Sequence, residues 1–142
     1  MRTVVDADDR RWVLLKESSE SSRVRDPETG EEAFRPNDDL EPAGGESPFE
    51  TLARAVPDPA RRILRACHED WQVGLLVSLA DDGPRPVRDL LGESAACESD
   101  FLGAVTELRA AGLLAETTVA GERAYELTDA GREGVAALRQ AD

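Results

Sequence analysis

Short apolar stretches separated by polar turns fill the first forty positions, and a helical period takes over after them. Thr3-Val4-Val5, Trp12-Val13-Leu14-Leu15, Ser22-Arg23-Val24-Arg25 and Glu32-Ala33-Phe34 read as strands. Asp26-Pro27-Glu28-Thr29-Gly30 has the chemistry of a hairpin turn, since Pro27 presets φ and Gly30 accepts a left-handed backbone. Residues 1–40 are thus expected to form a small antiparallel β-meander with Val4, Trp12, Leu14, Val24 and Phe34 as its core. These side chains are too few for an isolated sheet, so the meander is expected to lean on a helical domain. Residues 41–57 read as a linker, Glu41-Pro42-Ala43-Gly44-Gly45-Glu46, followed by a short helix capped by Ser47 and opened by Pro48.

From residue 58 onward the pattern is one of helices and a hairpin. Asp58-Pro59 opens a helix carrying Ile63 and Leu64. In the segment that follows, Trp71, Leu75, Leu76 and Leu79 lie on one side and Val73, Val77 and Ala80 on the other, which predicts a central helix buried all round. Asp81-Asp82-Gly83-Pro84 stops it, and a short helix runs from Pro86 to about Gly92. The turn Glu93-Ser94-Ala95-Ala96 leads to a helix over Glu98–Ala111, whose apolar stripe is Phe101, Val105, Leu108 and Gly112. Two strands around Ala120-Gly121-Glu122 come next, and Thr128 caps a last helix with Val135 and Leu138. The expected fold class is α+β, a helical domain over 58–142 preceded by the meander.

Charge changes this picture more than any motif does. The chain has 142 residues, of which 30 are acidic and 17 basic, for a net charge of −13; only Lys16 is a lysine. Self-repulsion of that size disfavours a compact chain in dilute buffer, but molar salt shortens the Debye length to about 3 Å. Acidic residues interleaved with apolar ones, and Arg in place of Lys, point to a halophilic protein of a salt-rich cytoplasm. No apolar run reaches membrane-spanning length, and Met1-Arg2-Thr3 enters a strand rather than a leader, so a cytoplasmic location and no membrane partner are expected. Cys67 and Cys97 lack the spacing of a metal knuckle and read as free thiols.

Two stretches in order resemble known families. Leu108-Arg109-Ala110-Ala111-Gly112-Leu113-Leu114 is similar to the recognition-helix exit of MarR-like and PadR-like regulators, and Tyr125-Glu126-Leu127-Thr128-Asp129-Ala130-Gly131-Arg132 to their wing exit. The chain as a whole resembles a winged-helix family of halophilic archaea. The resemblance implies a winged helix-turn-helix over 58–142, a DNA-binding transcription regulator with double-stranded DNA as partner, and a homodimer. The helices that pair subunits in those families correspond to residues 58–68 and 129–140, where Ala130, Val135, Ala137 and Leu138 are candidates for a seam or for the intramolecular core.

The implied recognition helix offers base edges a small, weakly polar face of Ser99, Gly103, Thr106 and Ala110, with Asp100 and Glu107 beside it. Ser94 stands in the preceding turn. Arg85 and Arg88, Arg109 and the wing residue Arg123 are the candidates for phosphate contacts. Residues 49–142 hold 10 basic and 17 acidic residues, a balance of −7, whereas DNA-binding modules are usually basic. The alternative is therefore a winged-helix module that binds a protein partner through the same face. No enzyme and no cofactor are expected: Cys67-His68-Glu69-Asp70 is the densest cluster of reactive residues, and neighbours on a helix point apart. The rings of Trp12 and Trp71 read as core, not as an effector pocket.

The charge argument makes a direct prediction. The helical circular-dichroism signal should collapse in low-salt buffer and recover in molar KCl; undiminished thermal stability at low ionic strength would remove the basis of the halophilic reading.

Overall fold

The computed structural model describes residues 1–139 and has an α+β architecture, with an antiparallel sheet at its start and six helices among the described residues. It divides into two compact units, Met1–Val56 and a second beginning at Pro57.

The first unit is a five-stranded antiparallel sheet of β1 (Arg2–Val5), β2 (Arg11–Glu17), β3 (Ser21–Arg25), β4 (Glu32–Pro36) and β5 (Glu41–Pro42), in the spatial order β4-β3-β2-β1-β5. Its turns are set by side chains that satisfy their own backbone. Asp6 Oδ1 accepts from the amides of Asp8 and Arg10 at 2.9 Å, and Asp26 Oδ1 accepts from Glu28 at 2.8 Å, while Gly30 takes φ +78°. Val4 stands opposite Trp12, and Leu14 opposite Val24, so these four share one buried face.

Phe34, expected in that core, is 72% exposed. The register explains it: Ala33 stands opposite Val24, which puts Phe34 opposite Arg23 on the other face of an edge strand. A one-residue offset therefore sends Ala33 inward and the ring outward. The sheet also buries residues on its second face, where Thr3 pairs with Val13. Helix α1 (Pro48–Leu52) supplies cover there, with the hydroxyls of Thr3 and Thr51 2.6 Å apart and both buried. Ser47 caps α1 by accepting from Glu50 N at 3.3 Å, and Glu46 ties the segment down by accepting from Arg11 and Arg54 at 2.7 and 2.8 Å. Of residues 41–57, expected as linker and helix, all but Pro57 are thus built into the first unit: β5 pairs with β1 and α1 packs on β1 and β2.

The second unit runs α2 (Asp58–Ala66), α3 (Asp70–Asp82), β6 (Arg85–Pro86), α4 (Val87–Glu93), α5 (Glu98–Ala110), β7 (Leu114–Val119), β8 (Glu122–Leu127) and α6 (Asp129–Arg139). Strand β6, not foreseen, pairs with β8 and extends the hairpin to a three-stranded sheet, β6-β8-β7. Phe101, Val105 and Leu108 are buried as the stripe predicts, with Ala104 beside them. On α3 the expectation of burial all round fails: Leu75, Leu76 and Leu79 are buried, but Val73 is 41% exposed. Gln72 is the buried polar residue of α3, its Oε1 accepting from His68 N at 2.6 Å and so serving the helix entrance.

The chain leaves α5 through Gly112 at φ +75°, with Leu113 N bonding back to Leu108 O at 3.0 Å, the signature of a Schellman exit. The hairpin turns on Ala120 (φ +51°) and Gly121 (φ +80°), the two left-handed residues a tight connection needs. Thr128 then joins both ends: its hydroxyl donates to Gly112 O at 2.6 Å and accepts from Gly131 N at 3.1 Å, and its amide donates to Leu113 O at 3.0 Å. Helix α6 can press on this junction and on α2 because it has a glycine at each contact. A Cβ at Gly131 would lie 2.4 Å from Leu113 O, and one at Gly134 would lie 2.7 Å from Pro59 O on α2.

Two predictions follow from this packing. Gly131→Ala should destabilise the second unit by about 1–3 kcal/mol through the backbone clash, and Phe101→Ala or Leu108→Ala by about 2–5 kcal/mol. Ser99→Ala should leave the thermal midpoint in place, and a Phe101→Ala protein as stable as Ser99→Ala would put the helical phase in error.

In the first unit Asp6, Asp26 and Glu46 all ionise below the usual carboxyl range. Asp6 is lowered chiefly by the Trp12 indole N–H (3.0 Å), and Glu46 by the Arg54 guanidinium; at Asp26 burial acts upward but is outweighed by backbone amides and Arg10. A depressed folded pKa contributes stability above the unfolded value and loses it as pH falls through the folded one. In molar salt, the fluorescence of Trp12 in a Trp71→Phe protein should therefore report acid unfolding between about pH 5 and 2. A signal unchanged across that range would contradict the pairing.

Candidate nucleic-acid interface

Strand β6, the α4–turn–α5 segment and the β7–β8 hairpin carry the sequence-predicted residues. Leu90 on α4 and Phe101 on α5 are both buried, which leaves the opposite side of each helix outward. Ser94 ends α4, and its hydroxyl accepts from Ala96 N at 3.1 Å, shaping the turn rather than projecting from it. Ser99, Gly103, Thr106 and Ala110 are all exposed along α5. Thr106 Oγ1 donates to Leu102 O at 2.8 Å, so its remaining polarity outward is that of an acceptor. A Cβ at Gly103 would meet nothing within 4 Å, so the middle of this face is open and flat.

The arginines divide into two kinds. Arg85 turns inward: its side chain is 21% exposed, donates to Ser78 Oγ at 2.9 Å and pairs with Glu93 at 2.7 Å, joining α3 to α4. That contact holds Glu93 below and Arg85 above their ordinary pKa ranges. Beside it Trp71, half-buried and stacked on Phe101 with ring centroids 6.0 Å apart, lines a cavity of about 340 Å³ together with Ser78, Arg85 and Glu93. Trp71 is thus a wall of an open cavity, while Trp12 is enclosed in the first unit.

Arg88, Arg109 and Arg123 stay at the surface, and the structure gathers them around the hairpin. Arg88 reaches from α4 to Glu122 at 3.0 Å, while Arg109 on α5 and Arg123 on β8 converge on Glu116 of β7, at 3.6 and 2.8 Å. Each proposed phosphate contact therefore already has a carboxylate. Sequence reasoning missed Glu116 and Glu122, although their place in the hairpin, opposite Tyr125 and Val119, follows from the strand register. It also gave no role to Arg65. Among the described residues this is the arginine of the second unit that has no salt bridge, and with Arg62 it lines a shallow hollow against Glu107, Ala110 and Ala111 at the end of α5. His68, at the entrance to α3, lies 3.6 Å from Glu107.

The model of one family matches residues 1–139, through both units. The chain belongs to DUF7346, a family of unknown function. No curated protein and no solved structure matches it. Within this DUF7346 chain, no group of three or more His, Cys, Asp or Glu side chains is placed to hold a metal ion among the described residues. Cys67 is half-buried, with its thiol pKa pushed up by burial, and Cys97 is exposed; both are free. No helix of the described residues is long and apolar enough to cross a membrane.

The helices matched to subunit pairing in the resembled families, α2 and α6, pack against each other within the chain, and Val135 is buried there. Leu64 and Leu138 remain 62% and 41% exposed on their outer sides.

Proposed function

We propose that the second unit is a winged helix-turn-helix that binds duplex DNA in high salt and regulates transcription, with α4 and α5 as the helix pair and β7–β8 as the wing. The observation that carries this reading is the outward face of α5. Ser99, Gly103 and Thr106 leave it low and open, so it can approach base edges closely, and Arg88, Arg109 and Arg123, gathered around the hairpin, are the candidates for phosphate contacts. Ser94 supports the turn, and Arg85 positions α4 rather than touching DNA. In molar salt counterion release contributes little, so an acidic reader would depend on direct contacts more than on net charge. A homodimer seated on Leu64 and Leu138 would set two such faces on one duplex.

A second reading, a winged-helix module that binds a protein partner, is favoured by the acidic residues beside the face, Asp100 and Glu107, and by the carboxylate partners of the arginines.

Crosslinking and immunoprecipitation of the tagged protein across the genome of its high-salt host separates the two. Discrete promoter peaks are expected, and they should vanish for Gly103→Glu, which puts a charged side chain into the groove while the open space around Gly103 lets the fold survive. An absence of peaks together with one stoichiometric co-purifying protein would overturn the DNA reading in favour of the partner module.

A further inference from the structure

The pairing pattern around the hairpin reaches further than the assignment of contacts. Arg123 and Arg109 share one carboxylate, Glu116, and Arg88 takes the other, Glu122. Both glutamates sit on the hairpin, on neighbouring strands, and neither is buried: their side chains are 37% and 43% exposed. A carboxylate on a guanidinium offers the same acceptor geometry and charge sign as a phosphate oxygen. The arrangement thus supplies, from inside the chain, what the DNA backbone would supply from outside.

We infer that Glu116 and Glu122 act as built-in phosphate substitutes, which hold Arg88, Arg109 and Arg123 in place and cancel their charge until a duplex displaces them. This rests on the DNA-binding reading above and deepens it by naming what tunes affinity at that site. Nonspecific binding is driven by phosphate neutralisation, and a surface whose arginines are already neutralised gains little from an arbitrary duplex. A cognate site adds contacts to the face of Ser99, Gly103 and Thr106, and those contacts favour the exchange of carboxylate for phosphate. The two glutamates are therefore specificity-determining residues: they touch no base, yet they suppress the sequence-independent part of binding. Exposed ion pairs are individually weak, so the exchange costs a cognate duplex little. Arg65, which has no carboxylate to displace, lies outside this set.

The test compares the full-length protein with Glu116→Gln and Glu122→Gln, binding a random-sequence duplex and a duplex from a promoter peak, over KCl from about 0.2 to 2 M. Glutamine keeps the shape of an exposed strand residue and removes the charge, and circular dichroism checks the fold. Glu116→Gln frees two arginines, so the slope of log K against log salt for random duplex should steepen by about 2, and Glu122→Gln should steepen it by about 1. Random-duplex affinity at the low-salt end should rise roughly tenfold or more with Glu116→Gln, which narrows the ratio of specific to nonspecific binding. Arg65→Gln should leave the ratio unchanged. Wild-type binding with the same slope and the same specificity ratio in both glutamine proteins would overturn the inference and leave the DNA reading intact. If none of the proteins binds either duplex at any salt concentration, the DNA reading fails and the inference falls with it.

Discussion

The geometry of the second unit hangs on one side chain, Thr128. Its hydroxyl and amide bond to Gly112 and Leu113 on one side, and the hydroxyl starts α6 on the other. The exit of α5, both ends of the hairpin and the start of α6 therefore meet within one hydrogen-bonded knot. A small, cooperative arrangement of this kind fixes angles that apolar packing alone leaves soft, because hydrogen bonds are directional and burial is not. Gly131 of α6 lets backbone approach backbone at the knot, and Leu113, fully buried, anchors it in the core. The angle between α5 and the hairpin, on which any use of that surface depends, is set here.

Charge imposes the second constraint. Among the described residues every basic side chain except Lys16, Arg35 and Arg65 is in a salt bridge, and Arg35 lies over the Trp12 ring at 4.9 Å. Among the described residues the acidic surplus is consequently carried by carboxylates outside these pairs. Exposed pairs are worth only about 0–1 kcal/mol each. Among the described residues they leave few bare cations on the surface.

Much of this was legible beforehand, for reasons that differ by element. The stripe of Phe101, Val105 and Leu108 announced α5 because a helix in contact with one core repeats its apolar positions at spacings of three and four. Gly112 and Thr128 were legible because their roles are local, a left-handed exit and a cap. Phe34 and Val73 were misjudged because apolar character says that a residue can be buried, and only register or a covering element says that it is. Strand β6 is two residues long and exists through its partner β8, so no window of sequence contains it. The same holds for the candidate interface. Its exposed face follows from helical phase, whereas the sharing of Glu116 by Arg109 and Arg123 joins three separate elements and is a property of the folded chain.

Lys16 stands exposed at the end of β2, opposite Arg23, and it is the chain's one lysine. The second unit therefore has no side-chain amine for an acetyl or methyl group to occupy, and lysine acetyltransferases and methyltransferases would find no foothold on it. Its electrostatic surface can be altered by ions and by whatever docks against it, and not by lysine acylation. For an experimenter the same fact is an opportunity. Amine-directed dyes and surface couplings would be confined to Lys16 and the chain's amino terminus, and every arginine around the hairpin would be left untouched.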